Sequence, residues 1–136
     1  MRELLASTAL FAIALAAGAA AHAESSLIDA AKAGDRAAAL ALLDAGAAVD
    51  AAEPDGATAL MWASHRGDAE LVARLLAAGA DPNARNVYGA PAMMEAATVG
   101  DAELIGVLLD AGADPESPNL EGQTALMAAA RSGSDR

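Results

Sequence analysis

The sequence lacks cysteine, and it is poor in aromatic residues and in positive charge. It contains one Trp, one Tyr and one Phe, and 8 lysines and arginines against 19 aspartates and glutamates. Without cysteine the chain can form no disulfide, no thiolate zinc site and no cysteine nucleophile. The formal charge of -11 argues against nucleic acid as a partner, because phosphates are bound by clusters of lysine and arginine.

The length and the apolar composition bound the architecture. A chain of 136 residues corresponds to one domain. Hydrophobic residues make up 55 % of it, but many of them are alanine, so the core has few bulky side chains. We therefore expect thin elements that approach one another closely, and in particular closely packed helices.

The chain begins with an apolar segment. Arg2 precedes 18 uncharged residues, 4–21, and the small-x-small tripeptide 21–23 follows. This order is typical of a secretory signal peptide. We expect residues 1–23 to be cleaved after Ala23 and the mature chain to be periplasmic, in a bacterium, or secreted, and free of the membrane. The alternative is an uncleaved anchor, because 18 residues are near the lower limit of the roughly 17–25 that span a bilayer.

The rest of the chain repeats with a period of 33 residues, which is typical of stacked repeat architectures. Aspartate and leucine positions follow the same period. The clearest signal is three series of glycines: Gly34, Gly67, Gly100 and Gly133; Gly46, Gly79 and Gly112; Gly56, Gly89 and Gly122.

Each period predicts two helices and a turn. Apolar residues within 71–76 fall on one face of a helix that Gly79 ends. A shorter helix precedes it, from Thr58 to Arg66, with Thr58 as the capping residue. The segment 80–83 follows the second helix and contains a proline, which disfavours continuation of the helix.

The segment Asp55-Gly56-Ala57-Thr58-Ala59-Leu60-Met61, with Gly67-Asp68, Leu75-Leu76 and Gly79-Ala80-Asp81 after it, resembles the ankyrin repeat. The resemblance extends from about Ser25 to Asp135. It implies an all-α solenoid of helix-turn-helix units with short hairpin-like turns. The ankyrin repeat domain then spans residues 24–136, with repeats at about 24–53, 54–86, 87–119 and, in part, 120–136.

Departures from the family pattern carry expectations of their own. Pro91 stands where the capping threonine of the third repeat belongs, so its helix should begin less firmly. The fourth repeat stops after its first helix, which we expect to end at Gly133, and Leu126 and Met127 then lack part of their cover. Truncation, fraying of the last helix and docking of this end onto another molecule are the alternatives.

The search for catalytic residues yields almost nothing. His65 is the only histidine outside the predicted signal peptide, and HExxH, nucleophile-elbow and phosphate-loop motifs are absent. Asp35, Asp68 and Asp101 follow helix-ending glycines, where capping is their expected role. We therefore expect no enzyme activity, no cofactor and no bound metal. A hydrolase that uses His65 is the remaining enzymatic alternative.

By the resemblance, the turn tips and first helices form a surface that binds a partner protein with a basic or mixed surface. Tyr88 is the candidate anchor, unless it packs on its own loop, and Trp62 either faces the groove or packs between repeats. The other alternative is a fragment of a longer ankyrin protein with a structural or regulatory role. The candidate binding residues, expected to be exposed apart from Trp62, are Asp55, Ala57, Trp62, His65, Arg66, Val87, Tyr88, Ala90, Thr98 and Val99.

Overall fold

The computed structural model describes residues 26–134, and seven α-helices lie in this part of the chain. The signal peptide predicted for residues 1–23 lies outside the described residues. Within 26–134, no helix has both the length and the apolar character needed to cross a membrane. In chain order the helices are α1 (Leu27–Ala33), α2 (Arg36–Asp44), α3 (Ala59–His65), α4 (Ala69–Ala77), α5 (Ala92–Val99), α6 (Ala102–Asp110) and α7 (Ala125–Ser134).

The helices stack in two layers. α1, α3, α5 and α7 pack in succession as the first-helix layer, and α2, α4 and α6 pack in succession as the second-helix layer. Hairpin-like turns join the repeats, with antiparallel bridges between Ala52 and Thr58 and between Arg85 and Pro91. The described residues contain no β-strand. The all-α repeat architecture predicted from the sequence is therefore confirmed.

Capping side chains explain where the helices begin. Asp35, Asp68 and Asp101 accept hydrogen bonds from backbone N–H groups in the first turns of α2, α4 and α6. The Thr58 hydroxyl accepts from the Met61 N–H at the start of α3. Pro91 provides no side-chain cap for α5, as the sequence indicates. Each second helix thus starts at the aspartate that follows a glycine.

The predicted end of the last helix is wrong. Gly133 lies inside α7, which continues to Ser134, whereas Gly34 and Gly100 end α1 and α5 with φ values of 74° and 77°. Glycine permits the left-handed conformation but does not impose it. After Gly34 and Gly100 an aspartate immediately caps the next helix, and Ser134 takes that place in the last repeat.

The core lies between the layers and between successive repeats. Its largest fully buried side chains are Leu60, Leu71, Leu75, Met93, Leu104 and Leu108. At the far end of the stack, Leu126 is 73 % exposed and Met127 is 54 % exposed, although the matching residues of earlier repeats are buried. The expectation that these two side chains lack cover is confirmed for the described part of the chain. The helix pairs also place the turn tips and the first-helix layer side by side.

Candidate binding surface

A groove opens between α3 and α5, and we call it the Trp62 groove. Its volume is about 250 Å³. Three of the predicted binding residues that line it, Asp55, Trp62 and His65, bring an acid, an indole and an imidazole together. Its lining residues are Asp55, Ala57, Met61, Trp62, His65, Asn86 and Glu95.

Trp62 combines both predicted roles, because its half-buried side chain lines the groove and also contacts the preceding repeat. Its Nε1 donates a hydrogen bond to Glu53 Oε1 at 3.0 Å. The Lys32 ammonium lies 5.0 Å from the centroid of the indole ring and 3.0 Å from the same carboxylate. A cation, an aromatic ring and a carboxylate therefore hold α1 against α3.

His65 is exposed at the end of α3, as predicted. Its Nδ1 lies 3.0 Å from Glu95 Oε2, and the imidazole meets the Trp62 ring edge to face at a centroid distance of 5.9 Å. Neither neighbour supplies a hydroxyl or thiol nucleophile. Arg66 is also exposed, and its guanidinium donates to the Lys32 carbonyl, which ties the end of α3 to the end of α1.

The turn tips present exposed apolar side chains beside the groove. Tyr88 is 69 % exposed, so its ring projects outward instead of packing on its own loop, and Val87 beside it is exposed as well. Backbone hydrogen bonds join successive tips, from Val87 N–H to the Asp55 carbonyl at 2.7 Å and from Leu120 N–H to the Tyr88 carbonyl at 2.9 Å. The tips of three repeats are thus fixed relative to one another.

Two predicted binding residues are not exposed. Ala57 and Ala90 are only 7 % and 8 % exposed, so the expectation that they lie on the surface is wrong. Their carbonyls accept hydrogen bonds from the N–H groups of Glu53 and Asn86, which close the hairpins. The methyl groups consequently turn inward just before the first helix of the repeat. Ala57 still forms part of the groove wall through its small remaining surface.

A second groove lies between α5 and α7, and we call it the Thr98 groove. It contains the last two predicted residues, Thr98 and Val99, which are exposed, and its volume is about 530 Å³. The Thr98 hydroxyl donates to the Met94 carbonyl at 2.9 Å. Glu95 lines both grooves, so the two form adjacent parts of one face.

Sequence reasoning missed three residues of this face. Leu120 is 79 % exposed at the fourth turn tip, and Asn86 and Glu95 line the Trp62 groove. Leu120 stands 33 residues after Val87, so the period would have identified it. No such signal marked Glu95, because its role depends on the distance between α3 and α5.

The second-helix layer is held by ion pairs between repeats. Arg36 contacts Asp68 and Glu70 at 2.9 and 2.7 Å, and Arg74 contacts Asp44 at 3.0 Å. The hydrogen bond to Asp68, supported by their opposite charges, raises the pKa of Arg36. Within residues 26–134 no group of three or more histidine or acidic side chains is arranged to hold a metal ion.

Comparison with known families agrees with this architecture. The family model described as ankyrin repeats (3 copies) matches residues 6–86, 27–119 and 71–136. A search of curated proteins finds no significant match. Ankyrin repeats generally act as protein–protein interaction modules, and the family is typically non-enzymatic. The two-layered helix stack and the matched ranges, which together span nearly the whole chain, show that this protein belongs to the ankyrin-repeat family.

Proposed function

We propose that this protein is a non-enzymatic module that binds a partner protein through one face, the recognition face. This face consists of the turn tips at Val87, Tyr88 and Leu120 together with the Trp62 and Thr98 grooves. The observation that carries the proposal is the row of exposed apolar side chains on hydrogen-bonded tips, next to two grooves with polar walls.

The chemistry of the tips suits an interface. Exposed tyrosine contributes a large rigid contact area and is enriched among the residues that dominate binding energy. Leu120 and Val87 are apolar side chains held on the same side by the tip-to-tip hydrogen bonds. Because those hydrogen bonds fix the backbone in advance, a partner meets a preorganised surface and loses less conformational entropy on ordering it.

We also propose that the mature protein acts in the bacterial periplasm. The support is the order of residues 1–23, with a positive start, an apolar middle and a small-x-small site. Intact-mass analysis of the protein from fractionated cells tests this directly. We expect a periplasmic species that begins at Glu24, and a species that retains residues 1–23 in the cytoplasmic fraction would contradict it.

Affinity capture with matched variants tests the binding function. The bait is the purified chain, the source is a periplasmic fraction, and Tyr88→Ala and Leu120→Ala are the interface variants. Arg74→Ala is the control, because Arg74 lies in the second-helix layer. We expect a partner retained by the native chain and by Arg74→Ala, and lost with the interface variants. Capture that is indifferent to both interface variants would contradict the proposal.

A further inference from the structure

We propose that the Trp62 groove receives a lysine or arginine side chain of the partner, and that the Val87–Tyr88 tip packs against an apolar residue next to it. This inference rests on the proposed binding function and adds the chemistry of the bound segment. It commits the groove to one occupant, a basic residue with an apolar neighbour on an extended peptide segment.

Charge complementarity is the first argument. The walls of the groove carry two carboxylates, Asp55 and Glu95, and the cationic group nearest to them is His65, which contacts Glu95. Nearby and in the second-helix layer, Lys32, Arg36 and Arg74 are engaged in ion pairs with acidic side chains of the same chain. The chain as a whole keeps an excess of 11 negative charges, which attracts a cationic partner.

The second argument is a cation that the protein already holds in the same way. The Lys32 ammonium lies over the Trp62 ring and against the Glu53 carboxylate, on the side of the indole that faces α1. On the side that faces α5, the same indole shares the groove with Asp55 and Glu95. The internal contact shows that an aromatic ring with an adjacent carboxylate suits a cation at this position.

The third argument concerns the neighbouring residue. Asn86 lines the groove and is followed directly by the exposed Val87 and Tyr88. Residues of an extended segment advance by about 3.3 Å each. A basic side chain in the groove therefore places the next side chains of the segment at this tip. The tip offers apolar surface there, and Tyr88 supplies an aromatic face.

The experiment uses the purified chain and a displayed library of random 12-residue peptides. Enriched peptides are then synthesised and titrated against the chain by fluorescence. Trp62 is the only tryptophan in the sequence, so its emission reports on the groove itself. The double variant Asp55→Asn with Glu95→Gln removes the groove charges while it preserves side-chain size. Its control is Glu103→Gln, an exposed glutamate on α6 in the second-helix layer.

We expect enrichment of peptides with lysine or arginine beside an apolar residue, and a change in Trp62 emission on binding. The double variant should weaken binding at least about 10-fold, and Glu103→Gln less than about twofold. Enriched peptides that lack basic residues but lose binding with Tyr88→Ala would overturn this inference and leave the proposed function intact. A library that yields no binder, or only peptides insensitive to Tyr88→Ala and to the double variant, would overturn the inference. The capture experiment, which uses folded partner proteins, decides the proposed function independently.

Discussion

The Lys32 ammonium lies 5.0 Å from the centre of the Trp62 ring, and this contact joins the first helices of two successive repeats. Glu53 completes it, because its carboxylate accepts a hydrogen bond from the indole and pairs with the ammonium. A stack of repeats gains its stability from such contacts between neighbours as well as from the helices themselves. The same contact also fixes the orientation of the indole that lines the Trp62 groove.

A double-mutant cycle measures this contact. Lys32→Met removes the charge and keeps the aliphatic length, and Trp62→Leu removes the ring. We expect a coupling free energy of about 0.5–1 kcal/mol, since the ammonium is partly solvated. Urea unfolding followed by circular dichroism provides the four free energies. Additivity of the two single effects would show that the contact contributes nothing to stability.

The buried leucines of the second helices should be the most sensitive positions for stability. Leu75 and Leu108 are fully buried, and truncation to alanine leaves a cavity as well as losing apolar burial. We expect Leu75→Ala or Leu108→Ala to lower the free energy of unfolding by about 2–5 kcal/mol. The matched control is Leu126→Ala, at an exposed leucine, which should change it by less than about 1 kcal/mol. Equal effects at buried and exposed leucines would contradict the packing described here.

The turn glycines offer a test of the contact between successive tips. Gly56 and Gly46 both have positive φ, of 82° and 86°, so alanine is strained by about 1–2 kcal/mol at either position. A Cβ at Gly56 would also lie 2.9 Å from the Asn86 Cα, whereas a Cβ at Gly46 meets nothing within 4 Å. We expect Gly56→Ala to destabilise the fold by at least about 1 kcal/mol more than Gly46→Ala in thermal unfolding. The reverse order would show that the tips do not pack in this way.

The cap of α3 makes a smaller prediction. Thr58→Ala removes the hydroxyl that accepts the Met61 N–H and should cost about 0.5–2 kcal/mol of stability. Thr58→Ser keeps the hydroxyl and should retain most of that free energy. Chemical denaturation of the two variants compares them directly, and equal losses would show that burial of the methyl group matters instead of the cap.

The repeat architecture could be predicted because its signals are local and recur. Gly34 and Gly100 end helices, and Asp35, Asp68 and Asp101 begin the next ones, so a single period of 33 residues revealed the unit. The same rule failed at Gly133, since helix termination there depends on the residue that follows and not on glycine alone. A column can therefore predict a conformation only when its neighbours recur with it.

The binding surface was predicted less completely, because it depends on distances between helices. Tyr88 and His65 are exposed as expected, but the position of Ala57 and Ala90 in their columns could not reveal that the hairpin turns their methyl groups inward. Glu95 was missed because its contact with His65 spans two repeats. Side-chain neighbours across the stack follow from the packing of α3 on α5, which the sequence pattern does not specify.

Crosslinking from defined positions tests the recognition face most directly. A photoreactive amino acid would replace Tyr88 or Leu120 at the turn tips, or Arg74 in the second-helix layer, in separate variants expressed in the native host. Irradiation of intact cells followed by mass spectrometry then identifies any covalent adduct. We predict the same partner protein attached at positions 88 and 120 and absent at position 74. Adducts at position 74 with none at the two tips would contradict the account.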